Sequence, residues 1–78
     1  MDINTVVENL KKTIAGKEEY LAGIQKEMTF VGLRDGEYGA LSTVAKFLQI
    51  NINELKVILY DVEQCRVLVD APAQTLYN

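Results

Sequence analysis

The chain has no histidine, no tryptophan, one cysteine and one proline among its 78 residues. Each shortage removes a class of function. With Cys65 alone, no disulfide forms within the chain. A zinc centre needs about four N or S ligands, and one thiol without histidine does not supply them. General acid–base catalysis draws mostly on histidine or on paired carboxylates in a pocket. Here the only adjacent acidic pair is Glu18-Glu19, and neighbours on a helix point in different directions. Basic charge is also short: 8 basic residues stand against 11 acidic ones, for a net charge of −3. Domains that hold nucleic-acid phosphates usually carry the opposite balance. No run approaches the roughly 20 apolar residues that span a bilayer. Met1-Asp2-Ile3-Asn4 lacks the basic and apolar regions of a secretory signal. A lone cysteine fits a reducing compartment. The expectation is a cytoplasmic protein with no catalytic residues, no cofactor, no metal and no membrane association.

What the chain has is apolar residues, 49% of the total. A domain this short buries a modest core and often needs disulfides, metal or self-association for support. With the first two removed, self-association remains, and part of the apolar surface is expected between subunits.

Periodicity gives the fold class, all-α. Ile3 to Met28 reads as one long helix, with Thr5-Val6-Val7-Glu8 in capping-box spacing at its start. Gly16 and Gly23 lie seven apart on one side of it. Thr29 to Gly39 reads as a glycine-containing loop, with a short hairpin around Asp35-Gly36 as the alternative. Glu37 to Leu48 reads as a second helix. Asn51-Ile52-Asn53-Glu54 breaks the pattern, and a third helix is expected from about Ile52 to Leu68, so that one or two helices follow the loop. Residues 1–70 form a single helical domain in this reading. Pro72 ends regular structure, leaving 71–78 as a flexible tail.

The first helix carries a heptad stripe. Ile3, Val7, Leu10, Ile14, Lys17, Leu21, Ile24 and Met28 are separated alternately by four and three residues. Val7, Leu10, Ile14, Lys17, Leu21, Ile24 and Met28 are therefore the candidate homo-oligomer interface, with Lys17 as a polar register-setting residue in the seam. The second half repeats the pattern in Leu41, Val44, Leu48, Asn51, Leu55, Ile58, Val62, Cys65 and Val69. Two matching stripes joined by a loop suit a hairpin that completes a bundle with a second copy. They equally suit a hairpin that buries both stripes internally. Cys65, on the second stripe, reads as a small apolar residue rather than a nucleophile. The loop lacks the residue order of a phosphate-binding loop. The four tyrosines do not interleave with basic residues as a single-strand stacking platform would.

Two resemblances attach to the second half. Leu41 to Ile58 resembles the helix-turn-helix of phage repressors and Cro. Ala45 stands at the small contact position, Leu48 and Ile50 flank the turn, and Leu55 and Ile58 take the buried positions of the recognition helix. The resemblance implies DNA contacts from Asn51, Asn53 and Lys56. Gln49 replaces the glycine that family prefers in the turn, and the exposed face has no arginine. The segment Gly39 to Ile50, behind the stripe from Val7 to Met28, is also similar to the small tail-fibre assembly chaperones of T-even phages. That family is acidic, oligomeric and non-enzymatic, and it helps trimeric fibre proteins assemble. The leading expectation is a small helical assembly factor that binds itself and another, unidentified protein. The alternative is a helix-turn-helix transcriptional regulator.

Overall fold

A computed structural model describes residues 2–30 and 32–70, and the proposed tail at 71–78 lies outside them. The described residues form two helices, α1 (Ile3–Met28) and α2 (Asp35–Asp70). They contain no strand, so the hairpin alternative at Asp35-Gly36 is not realised.

The bounds of α1 follow from its ends. Asp2, in extended backbone, caps the helix by accepting from the Thr5 amide at 2.8 Å. The cap is thus Asp2 and not Thr5, whose residue already lies inside the helix. The same backbone hydrogen bond is the main reason the Asp2 carboxyl titrates below its ordinary value. At the other end the Thr29 hydroxyl donates to the Lys26 carbonyl at 2.7 Å, and Lys26 adds positive charge to the last turn.

The connection is shorter than the glycine content implies. α2 begins at Asp35, so Gly36 and Gly39 are helical rather than part of the loop. None of the described glycines adopts a positive φ. Asp35 and Glu37 place acidic charge on the first turn, where the helix dipole favours it.

From Asp35 the second helix runs 36 residues without interruption, about 54 Å at the standard rise. The expected break at Asn51–Glu54, and with it a separate third helix, is absent. Gln49 explains part of this, because a side chain where a turn would want glycine leaves helix as the easy path. Its Nε2 also donates to the Asn53 Oδ1 one turn on, at 3.0 Å, across the point where the break was expected.

The helices pack antiparallel. Lys11 pairs with Glu63 at 3.5 Å and Lys56 with Glu18 at 3.2 Å, so seven residues forward in α1 correspond to seven back in α2. Both pairs are half exposed and contribute little energy each. The seam between them holds the core. Val7, Ile14, Leu21 and Ile24 of α1 are buried, as is Ile52 of α2 at 1% exposure. Ala45, Leu48, Leu55 and Leu59 pack around Ile14, Leu21 and Ile52.

The buried stripe of α2 is therefore Leu41, Ala45, Leu48, Ile52, Leu55, Leu59 and Val62, rotated from the one read in the sequence. Leu41, Leu48, Leu55 and Val62 belong to both, whereas Val44, Ile58 and Cys65 turn out to be exposed. The rotation exchanges Asn51 for Ile52 at the centre. Burying an unpaired amide there would cost on the order of 1–3 kcal/mol, and burying isoleucine is favourable.

Two substitutions probe this packing. Ile52→Ala should destabilise the chain by about 2–5 kcal/mol, read as a lower midpoint in urea. Gly16 and Gly23 are exposed, and a Cβ at either would meet nothing within 4 Å. They serve no close approach, so Gly16→Ala should raise stability by roughly 0.5–1 kcal/mol, read as a higher thermal midpoint.

Candidate interaction surface

The residues expected to join subunits lie against α2 of the same chain. Val7, Ile14, Leu21 and Ile24 are buried in the hairpin, and Leu10, Lys17 and Met28 are half-buried along the same seam. The hairpin itself covers this stripe, so the interface assigned to it is intramolecular in this structure.

The uncovered apolar surface is elsewhere, and it is unevenly shared. On α1 the one large hydrophobic residue recorded as exposed is Tyr20. On α2 the exposed set includes Tyr38, Val44, Phe47, Ile50, Val57, Ile58, Tyr60, Val67 and Leu68. Several are well out in solvent, Phe47 at 62% and Val57 at 61%. Phe47, Ile50, Val57 and Leu68 recur at helical spacing with Glu54 and Asp61 between them. This band lies on the side of α2 turned away from Ile52, with Val44, Ile58 and the free thiol of Cys65 along one edge and Lys46 along the other. α2 is thus amphipathic twice over, with one face closed by α1 and the other open. The signal was present in the sequence: α2 contains more apolar residues than a single stripe can hold.

The helix-turn-helix contacts are not assembled. Asn51 is half-buried, Asn53 is held by Gln49, and the Lys56 ammonium is paired with Glu18. The basic residues are also scattered. Arg34 pairs with Glu37 at 3.8 Å just before α2 begins, and Arg66 lies roughly 45 Å away along the same helix. Among the described residues there is neither a helix set off by a turn within 41–58 nor a cluster of basic side chains beside Asn51 and Asn53.

At the end of α1, Gly23, Lys26, Glu27, Thr29, Phe30 and Gly32 line an open depression of about 720 Å3. A Cβ on Gly32 would stand 2.8 Å from the Phe30 ring, an exposed side chain with room to swing aside. The depression has no convergent set of polar groups to orient a ligand. Among the described residues no three His, Cys, Asp or Glu side chains cluster as metal ligands. No helix among them is long and apolar enough to cross a membrane. No protein-family model, curated protein or solved structure matches the chain.

In a gel-shift experiment at low salt with genomic fragments, the chain should give no discrete, competitor-resistant complex. Such a complex, weakened by Asn53→Ala or Lys56→Ala, would restore the regulator reading.

Proposed function

We propose that the chain is a non-enzymatic, cytoplasmic assembly factor that acts as a homo-oligomer and binds another protein. One observation carries the reading: the outer face of α2 leaves Phe47, Ile50, Val57, Ile58 and Leu68 in water. Scattered exposed hydrophobics are ordinary on a soluble protein, but a row of them along one helix face, even interrupted by Glu54 and Asp61, suits a surface that associates. The hairpin also gains from association. Its core rests on a single seam between two helices, and a two-helix unit gains support when further helices complete a bundle.

The acidic balance of the sequence suits binding to a protein better than binding to nucleic acid. The more specific form of the proposal is an assembly chaperone like those of the phage tail-fibre family. That form rests on the Gly39–Ile50 resemblance and on the chain's size and acidity. It is tested by whether co-expression raises the soluble yield of a trimeric fibre protein.

The general reading is tested by mass in solution. Light scattering at tens of micromolar should give at least twice the chain mass. A monomer throughout that range would sink the homo-oligomer proposal.

A further inference from the structure

Resting on the homo-oligomer reading, the geometry points to a specific partner for the open face of α2: the same face of a second copy, packed antiparallel about a two-fold axis near the middle of the helix. The order of helices across the assembly is then α1, α2, α2, α1.

Three observations converge on it. The first is the asymmetry between the helices. The outer face of α1 is polar apart from Tyr20, so two hairpins bury most apolar surface by joining through α2.

The second is charge. Glu54 and Asp61 lie within the apolar band, and neither has an ion-pair partner among the described residues. Parallel packing would set Glu54 against Glu54 and Asp61 against Asp61, like charges in a partly desolvated seam. Antiparallel packing carries the two Asp61 residues about 25 Å apart, whereas Glu54, close to the axis, stays within a turn of its mate. The same packing brings Lys46, at the rim and also without an ion-pair partner among the described residues, to within a turn of Asp61 in the second copy.

The third is length. α2 is unbroken from Asp35 to Asp70, so an antiparallel pair centred between Ile52 and Asn53 overlaps along every turn. In that register Phe47 meets the Val57–Ile58 step of the other copy, and Ala40 comes opposite Cys65. A strip about 54 Å long and 10 Å wide gives a footprint of roughly 500 Å2 per copy. The total, on the order of 1,000 Å2, falls in the range of weak but specific interfaces.

Cys65 makes the arrangement testable, because its thiol is free and exposed. In the antiparallel dimer the two Cys65 residues stand about 37 Å apart, beyond the roughly 7 Å between Cα atoms that a disulfide spans. The same distance separates Ala40 from Cys65 within one chain. Under mild oxidation the unmodified protein should therefore stay non-covalent. Gly39→Cys or Ala40→Cys should yield a covalent dimer on a non-reducing gel, and adding Cys65→Ser should abolish it. Glu19→Cys, on the outer face of α1, should give none. Phe47→Asp should halve the mass seen by light scattering while circular dichroism remains helical. Self-capture of the unmodified protein through Cys65 would mean parallel packing and overturn the proposal. A dimer that survives Phe47→Asp and yields no product with either introduced thiol also overturns it, yet leaves the homo-oligomer reading standing. A monomeric unmodified chain removes both.

Discussion

The hairpin depends on Ile52 closing against Ile14 and Leu21. This contact decides which side of α2 faces α1, and every other surface follows from that choice. With Ile52 inward, Asn51 sits at the margin of the seam, where its amide can reach water. Lys56 comes within reach of Glu18, and Glu63 within reach of Lys11. The ion pairs flank a register that burial has set; at their exposure they do not set it. The same contact turns Phe47, Ile50 and Val57 outward and so creates the surface on which the functional proposal rests.

Much of this was legible in the sequence, and the rest failed for identifiable reasons. The all-α class and the span of α1 follow from a stripe that is apolar at seven of eight positions and mostly polar elsewhere, so one face is strongly favoured to turn inward. α2 is harder because Val44, Ile50, Val57 and Ile58 compete with Ala45, Ile52 and Leu59 for the interior. A heptad frame through Asn51 scored well by counting apolar residues, but counting does not weigh the cost of one amide at the centre. The apparent break at Asn51–Glu54 was a local signal overruled by the helix around it: residues that favour caps remain tolerable in a helix interior when packing on either side holds the backbone. At Asp35, the glycines nearby hid a helix start that the acidic first turn supports.

The candidate surface was missed for a related reason. Heptad spacing identifies faces that can pack, but it does not say whether the partner is the other half of the chain or another molecule. The stripe of α1 satisfies itself within the hairpin. The surface left over appears only once that pairing is drawn, because it is defined by what α1 does not cover.

The antiparallel register also bears on how the chain reaches this structure. Glu18 and Lys56 are 38 residues apart in sequence, and Lys11 and Glu63 are 52 apart, so contacts grow steadily more distant with each turn away from the loop. The cheapest first contacts to close are those beside the loop, and each further layer adds only a small increment of chain entropy. Such a topology zips from its closed end towards its termini, with Leu21 and Ile52 engaging before Val7 is covered. Helical proteins with mostly local contacts fold quickly. For this one, the outer face of α2 would be complete, and sticky, while the terminal turns are still open.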